Sequence, residues 1–302
     1  MFRILTKFFA FQQTFNKRYS SLSEIHYRFT IFNKNMQTIQ KHNKDTTQTF
    51  RMGINQFTDL EPYEFKAYVG KIAATKQDCY TFTSAHTITS SWDWRDYNAV
   101  TPVKNQEQCG SCWAFSSTGS SEGAWAIKTG DLINLSEQEL VDCAGFRYGS
   151  NGCNGGQMDG AFKYMIDFGQ CSTIEYPYDA VDGECEPCEA VTKFSECYNV
   201  NPNDQVSLKA AVALQPVAVA IEADTYYFQS YSSGILTSPA CGTTLDHGVL
   251  IVGYGTEADI PYWLVKNSWG ITWGEEGYVK IAISNISEGI CGIAIQPSFI
   301  IV

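Results

Sequence analysis

The chain has 302 residues, 44% of them hydrophobic, so it is long and apolar enough to bury the cores of two domains. No apolar run approaches the roughly 20 residues that cross a bilayer, so we expect no membrane partner. Residues 1–87 carry twelve Lys and Arg against six Asp and Glu, a net charge of +6, and the remainder carries nine against twenty-six, a net charge of −17.

The uneven charge predicts a basic front segment held electrostatically against an acidic body, although charge alone also fits two separately solvated surfaces. The basic residues are dispersed among apolar ones, which argues against a nucleic-acid partner. Residues 1–11 have an apolar run that Lys7 interrupts, and they lack a small-residue cleavage site. We interpret them as the start of a helix, and we expect any secretory signal to lie outside this sequence.

The next segment has helical periodicity. Six residues spaced 4, 4, 3, 4 and 4 apart fall on one helical face: Glu24, Arg28, Phe32, Asn35, Ile39 and Asn43. Glu24 and Arg28 are expected to form an i,i+4 ion pair. These identities resemble the long proregion helix of cathepsin L-like zymogens, and residues 53–59 (GINQFTD) match the G-x-N-x-F-x-D element of the same proregions. The resemblance implies a mainly helical inhibitory propeptide, residues 1–87, that occupies the cleft of the body.

Cys79 departs from the plain cathepsin L pattern and lies just ahead of the expected maturation site, between Ala85 and Ser91. We favour an idle thiol at Cys79. The alternative is a disulfide that tethers a propeptide remnant to the body, as in cathepsin H-like enzymes, which would indicate an aminopeptidase.

Residues 106–113 (QEQCGSCW) place Cys112 beside Trp113, ahead of a run that can begin a helix. The positive end of a helix dipole can lower the pKa of such a thiol and make it a nucleophile. Six residues upstream, the Gln106 amide can donate to an oxyanion. A lone cysteine is more often a buried residue or half of a disulfide. This segment nevertheless resembles the C-G-[SA]-C-[WY] element of papain-family cysteine proteases.

The only histidine after residue 87 is His247, since the others are His26, His42 and His86. His247 lies 135 residues after Cys112, and Asn267 lies 155 after it, at or near the separations of a papain-like Cys–His–Asn set. Alone, such a histidine is more often structural and such an asparagine a turn former. Their order and spacing favour catalysis, with Trp269 shielding the His–Asn hydrogen bond from water.

The resemblance implies an α+β, papain-like two-lobe fold for residues 88–302. The lobe to about residue 200 should be mainly helical, and residues 201–302 should form a barrel-like antiparallel sheet. Ser136 begins a capping-box pattern that predicts a helix start. Residues 217–221 and 248–252 are short apolar runs that predict strands.

Eleven cysteines indicate an oxidising compartment. The resemblance implies three disulfides, Cys109–Cys153, Cys143–Cys185 and Cys241–Cys291, and a free Cys112. Four cysteines remain unassigned: Cys79, Cys171, Cys188 and Cys197. Cys185 and Cys188 form an isolated C-x-x-C with no second pair or nearby histidine, so we expect no metal and no cofactor.

Gly155 and Gly156 can pair with the backbone of an extended peptide, although without the resemblance a simple turn is equally good. Family positions for the main specificity pocket fall on Met158, Ala220, Leu245, Gly248 and Gln296. These residues predict a roomy apolar pocket that prefers a bulky hydrophobic residue two before the cleaved bond. The single histidine after residue 87 argues against the dipeptide-removing relatives, whose loop histidine holds the substrate carboxylate, so we expect an endopeptidase.

The sequence as a whole predicts a monomeric cysteine endopeptidase that cleaves proteins and peptides through a thioester and is made as a latent proenzyme. Self-processing at about pH 4–5 is expected, because acid protonates carboxylates on the body. That places the enzyme in a lysosome, a digestive vacuole or secretion. The alternative is a silent papain-like binding module, or a propeptide that inhibits other proteases. The intact set of Gln106, Cys112, His247 and Asn267 argues against both.

Overall fold

The computed structural model of the protein describes residues 2–72, 79–84, 89–237 and 241–302. His86 and part of the expected maturation site (residues 85–88) lie outside them. The helices are α1 Phe2–Thr14, α2 Leu22–Lys44, α3 Pro62–Phe65, α4 Cys112–Thr129, α5 Glu137–Cys143, α6 Met158–Phe168, α7 Gln205–Leu214 and α8 Tyr226–Gln229. The strands are β1 Phe50–Met52, β2 Tyr80–Phe82, β3 Trp92–Asp93, β4 Glu196–Val200, β5 Val217–Ile221, β6 Tyr231–Leu236, β7 His247–Glu257, β8 Ile260–Lys266, β9 Tyr278–Ala282 and β10 Ser298–Ile301.

The segment that the resemblance assigns to a propeptide, residues 1–87 and called the propeptide below, begins with two helices packed through aromatic rings. This confirms both helical predictions. Phe8 and Phe11 of α1 contact Phe32 of α2, with ring centroids 5.3 and 5.0 Å apart. Helix α2 begins after Ser21, whose hydroxyl accepts from the Glu24 N–H. All three phenylalanines are almost fully buried, so this contact fixes the angle between the helices.

Two asparagines of α2 form hydrogen bonds with the backbone of the chain that follows the helix. The Asn35 amide donates to the carbonyls of Thr58 and Leu60, and the Asn43 side chain both donates to and accepts from the backbone of Met52. Buried backbone groups need such partners, and this explains asparagine on an otherwise apolar face.

The predicted Glu24–Arg28 ion pair is wrong. Arg28 pairs with Glu64 instead, at 2.8 Å, and also donates to the Asp59 carbonyl. Glu24 accepts from the backbone N–H and hydroxyl of Ser20. The tertiary partners lie in a half-buried site, where a hydrogen-bonded pair is favoured over a solvated neighbour on the same helix.

The body has the two-lobe architecture that the sequence predicted. Helices α4, α5 and α6 pack around Trp113, Leu140 and Phe162. Strands β5, β7, β8 and β9 form a continuous antiparallel sheet, which the parallel β6 extends. Strand β5 has its predicted bounds, whereas β7 is longer than its apolar run.

Two details of the body differ from the sequence predictions: the lobe that contains β4 and the capping of α5. Strand β4 precedes residue 201, yet it joins the sheet by pairing with the C-terminal β10. Helix α5 begins after Ser136, whose hydroxyl accepts from the Glu139 N–H as predicted. The Glu139 carboxylate does not complete the capping box, because it accepts from the Cys171 N–H and the Tyr164 hydroxyl.

Five disulfides join ten of the eleven cysteines and leave Cys112 free. They are Cys79–Cys197, Cys109–Cys153, Cys143–Cys185, Cys171–Cys188 and Cys241–Cys291. Three are the pairs that the resemblance implied. The expectation of an idle thiol at Cys79 is wrong, because β2 pairs in parallel with β4 and brings the Cα atoms of Cys79 and Cys197 within 4.9 Å. The isolated C-x-x-C is divided between two bridges.

Strand pairing and the Cys79–Cys197 disulfide attach the propeptide to the body. Strand β1 pairs antiparallel with β6, and the Gly53 N–H donates to the Ser230 carbonyl. Three ion pairs lie within the propeptide, and the other five lie within the body. Among the described residues no ion pair joins the two, so direct charge pairing does not hold them together. None of the described helices has the length and hydropathy to span a bilayer.

Candidate active site

The site lies where the start of α4 meets the start of β7 and the end of β8. Cys112 is the first residue of α4 and is fully buried, His247 is the first residue of β7, and Asn267 directly follows β8. Strands β7 and β8 are paired, so His247 and Asn267 lie side by side. His247 Nε2 donates to Asn267 Oδ1 at 2.8 Å, and that oxygen also accepts from the Ser268 N–H.

Contacts of the next residue place His247 beside the thiol. The Gly248 N–H donates to the Cys112 sulfur. A Cβ on Gly248 would lie 2.9 Å from the Cys112 carbonyl oxygen, so no larger residue fits this approach. With the proton on Nε2, the buried Nδ1 of His247 keeps a free lone pair and has no hydrogen-bond partner among the described residues.

Trp269 covers the histidine. Its ring stacks on His247 with centroids 4.6 Å apart and an interplanar angle of 25°, and it is 1% exposed. The stack excludes water from one side of the His247–Asn267 hydrogen bond, which strengthens that bond and fixes the ring orientation.

Hydrogen bonds to both the nitrogen and the oxygen of its side-chain amide hold Gln106 in place. Its Nε2 donates to the Cys109 carbonyl at 2.8 Å, and its Oε1 accepts from the Ser268 hydroxyl at 2.7 Å. The Tyr178 hydroxyl donates to the Gln106 carbonyl. An amide has two N–H donors, so one remains to point at an oxyanion. Sequence reasoning missed Ser268 and Tyr178, and the only signal was that Ser268 adjoins Asn267.

The propeptide backbone crosses this site. The Gly70 N–H donates to the Cys112 sulfur, and a Cβ on Gly70 would lie 2.8 Å from the Gly110 carbonyl oxygen. Next, the Lys71 backbone lies against Gly155, where a Cβ would be 2.7 Å from the Lys71 nitrogen. Ile72 then forms a parallel bridge with Gly156. The glycine pair therefore contacts an extended peptide, and in this state that peptide is the propeptide.

Burial favours the neutral form of both the Cys112 thiol and the His247 imidazole. It raises the pKa of the Cys112 thiol to about 11, although the N–H groups of Gly248 and Gly70 act in the opposite direction. It lowers the pKa of His247 to about 4, against the hydrogen bond to Asn267. In this covered state, desolvation acts against the thiolate that the position of Cys112 at the start of the helix favours.

The predicted pocket residues come together in two groups. Met158 and Gln296 line one cavity together with Ile72 of the propeptide. Ala220 pairs with Gly248 across β5 and β7, and Leu245 packs against the same apolar cluster as Met158 and Ala220.

A buried ionic cluster behind Asn267 had no sequence signal, because its members are scattered along the chain. Lys104 Nζ contacts Glu122 at 2.7 Å and Glu137 at 2.6 Å. Lys266, the neighbour of Asn267, donates to the Thr101 hydroxyl, and burial lowers its pKa to about 8. These contacts join the two lobes beneath the site.

Comparisons with known proteins agree with this geometry. Residues 88–301 match the family described as papain family cysteine protease, and residues 8–65 match the cathepsin propeptide inhibitor domain. The chain belongs to the papain family of cysteine proteases. It is a cathepsin L-like protease that carries its propeptide inhibitor domain.

Individual relatives share most of this chain. Cathepsin L of Sarcophaga peregrina is 43% identical over 94% of this chain and 88% of its own length. Oryzain beta chain of Oryza sativa subsp. japonica is 46% identical over 90% of this chain, but the match spans 60% of that relative. The structure of digestive procathepsin L 3 of the Tenebrio molitor larval midgut superposes with a TM-score of 0.91 at 41% identity, covering 99% of both chains.

The propeptide packs against and hydrogen-bonds to Trp269 of the site. Phe57 and Phe65 present their edges to the Trp269 ring, with centroids 5.3 and 5.2 Å away. The indole N–H donates to the Tyr68 carbonyl, and the Gln56 amide donates to the Trp269 carbonyl. The residue that shields His247 is thus also the anchor for the propeptide.

Phe57→Ala should open the latent site. Truncating a buried phenylalanine typically costs about 3 kcal/mol or more, which raises an opening equilibrium about a hundredfold. We expect the alkylation rate of Cys112 in the full-length chain at neutral pH to increase by about that factor, measured by intact mass with iodoacetamide. Phe9→Ala, at a propeptide ring that is 53% exposed, is the control and should not change the rate. Equal rates in both variants would show that this contact does not keep the site closed.

Proposed function

We propose that the mature enzyme is an endopeptidase in which Cys112 is the nucleophile and His247 the general acid and base. The observation that carries the proposal is the convergence of Cys112, His247 and Asn267, from three distant parts of the chain, beneath a peptide that lies across the sulfur. An inhibitory segment held over a sulfur is the arrangement expected of a cleft that binds extended peptides.

In the proposed reaction, the Cys112 thiolate attacks the scissile carbonyl carbon. The tetrahedral oxyanion accepts hydrogen bonds from the Cys112 N–H and Gln106 Nε2, and losing one such donor typically costs about 2.7–4 kcal/mol. His247 protonates the leaving amine, which leaves a thioester on Cys112. His247 then takes a proton from water, which hydrolyses the thioester, and Asn267 keeps the imidazole oriented.

Removal of the propeptide makes the ionised form of the Cys112–His247 pair more favourable. Burial keeps the thiol and the imidazole neutral in the covered state, so exposure to water removes the main cause of both pKa shifts. The start of α4 and the neighbouring imidazolium then favour a thiolate. Latency on this account has two parts, a blocked cleft and a disarmed nucleophile.

Cys112→Ala should abolish hydrolysis of a fluorogenic Phe-Arg amide. The wild-type chain is assayed with reductant before and after incubation at about pH 4.5, and the variant is processed at that pH by a trace of pepsin. We expect activity in the wild type only after acid treatment, and none in the variant despite an unchanged thermal unfolding curve. An inactive wild type whose propeptide has demonstrably left would favour the silent binding module.

We propose that the enzyme prefers a bulky apolar residue two before the cleaved bond. Ile72, the propeptide residue paired with Gly156, shares a cavity with Met158 and Gln296, which supports an apolar pocket with a neutral polar end.

In a positional peptide library, phenylalanine at that position should outperform arginine. Gln296→Glu should raise kcat/KM for arginine relative to phenylalanine, because a carboxylate at the pocket end pairs with a guanidinium. Gln296→Leu, of similar size without charge, is the control and should not favour arginine. A preference for arginine in the unaltered enzyme would refute this pocket assignment.

We propose that acid releases the propeptide by weakening its own fold. Burial pulls the pKa of Glu64 upward, but hydrogen bonds from Arg28 and the Glu61 N–H outweigh it and hold that pKa below its usual value. A carboxyl with a depressed folded-state pKa contributes stability above its unfolded pKa and loses it as the pH falls through the folded value. The relevant window therefore begins near pH 4.5 and extends below it.

Glu64→Gln should shift self-processing to higher pH, because the amide cannot form the ion pair at any pH. Processing is followed by intact mass between about pH 3.5 and 7. At pH 7, about 1 M NaCl, which shortens the Debye length to about 3 Å, should not release latency in the wild type. Activity that appears with salt alone would instead support attraction between the +6 and −17 segments.

We propose that residues 1–87 are the propeptide and residues 88–302 the peptidase, with maturation between Ala85 and Ser91. The two family matches, which end at residue 65 and begin at residue 88, support this division. Five disulfides and an acid-sensitive propeptide favour a lysosome-like vacuole, a digestive compartment or secretion.

A further inference from the structure

Residues 79–84 lie between the two family matches and are built into the body. Cys79 is joined to Cys197 of β4 by a disulfide. Strand β2 pairs in parallel with β4, with Tyr80 opposite Tyr198 and Phe82 opposite Val200. The segment is therefore the edge strand of the body's sheet.

Further contacts hold the C-terminal end of this strand against the body. The Phe82 carbonyl accepts from the Asn201 N–H at 3.0 Å, and the Phe82 ring meets Phe299 edge-on at 5.3 Å. The Ser84 N–H donates to the Ser207 hydroxyl at 2.9 Å, and that hydroxyl in turn donates to the Asp204 carboxylate at 2.7 Å. All of these partners belong to the body.

In an oxidising compartment, the peptide chain and the Cys79–Cys197 disulfide both bind this segment covalently to the body. A cut after Ser84 leaves it attached through Cys79–Cys197, and a cut before Cys79 leaves it attached through the chain. We propose that residues 79–84, although they precede the maturation cut, stay with residues 88–302 as a permanent strand of the mature enzyme when the rest of the propeptide leaves. This inference rests on the proposed proteolytic maturation.

The strand lies beside the proposed specificity pocket. Asn199 and Val200, the β4 residues opposite Thr81 and Phe82, line the same cavity as Met158 and Gln296. An edge strand that pairs with β4 holds these residues in position and occupies backbone groups that would otherwise be exposed. Residues 79–84 thus act as a positioning segment for the pocket, and their loss should weaken substrate binding more than the chemical step.

The Cys79–Cys197 disulfide also keeps the enzyme inhibited after a single cut. After a single cut between Ala85 and Ser91, the whole propeptide stays attached to β4 and remains an intramolecular inhibitor at high effective concentration. Release then requires a cut before Cys79, or a dithiol that is oxidised to its disulfide as Cys79 and Cys197 take up two electrons and two protons.

The first experiment determines what remains attached after maturation. The full-length chain is incubated at about pH 4.5, with a trace of pepsin if it does not process itself, and its intact mass and N-termini are measured with and without dithiothreitol. An N-terminus before Cys79, or a Cys79-containing peptide that only dithiothreitol releases, is the expected result. A single chain that begins after Ser84 and has the same mass in both conditions overturns the proposal.

The second experiment tests the role of the strand. The double variant Cys79→Ser/Cys197→Ser removes the bridge without leaving a new thiol, and Cys171→Ser/Cys188→Ser removes a different bridge as the matched control. Both are matured and assayed after a brief exposure to reductant, with the wild-type mass checked to show that the segment is present. We expect KM for the Phe-Arg amide to rise several-fold in the first variant alone, with kcat little changed.

An unchanged KM in that variant would overturn the positioning role. The experiments distinguish a failure of the proposed endopeptidase function from a failure of the strand proposal. No hydrolysis by any of these enzymes would refute the endopeptidase, whereas the mass measurement would still decide whether the strand is retained.

Discussion

The passage of the propeptide backbone over the Cys112 sulfur is the contact on which the latent state depends. Gly70 fits there because a Cβ would collide with the Gly110 carbonyl oxygen. The contact covers the Cys112 sulfur, and both Cys112 and His247 are fully buried. Desolvation then shifts the two pKa values in opposite directions, toward a neutral thiol and a neutral imidazole. One contact therefore blocks binding and chemistry together.

The rest of the propeptide holds Gly70 in that position. Helix α2 uses Asn35 and Asn43 to bind the backbone of the chain that follows it. That chain places Phe57 against Trp269, and the Tyr68 carbonyl accepts from the Trp269 indole two residues before Gly70. Trp269 links the two functions, because its ring stacks on His247 and also packs against Phe57 and Phe65 of the inhibitor.

Features encoded by local motifs could be predicted from the sequence. The order and spacing of Cys112, His247 and Asn267 indicated residues that the structure places at one junction, and the periodicity of α2 indicated its buried face. Features that depend on tertiary contacts could not be predicted. The partner of Arg28 is Glu64, 36 positions away, and Cys79 reaches Cys197 only because two strands pair in parallel. Burial raises the pKa of the Cys112 thiol, and no local pattern around Cys112 indicates that Gly70 lies against it.

The most direct test of this account is the alkylation rate of Cys112 as a function of pH, before and after propeptide removal. Cys112 is the single free cysteine, so intact mass reports it alone. The account predicts slow alkylation of the latent chain that still increases above about pH 9, as expected of a raised thiol pKa. After removal, the rate should be high and nearly constant between about pH 6 and 8, as expected of an imidazolium-paired thiolate. The same pH profile in both states, differing only by a constant factor, would show that the propeptide blocks access without disarming the nucleophile.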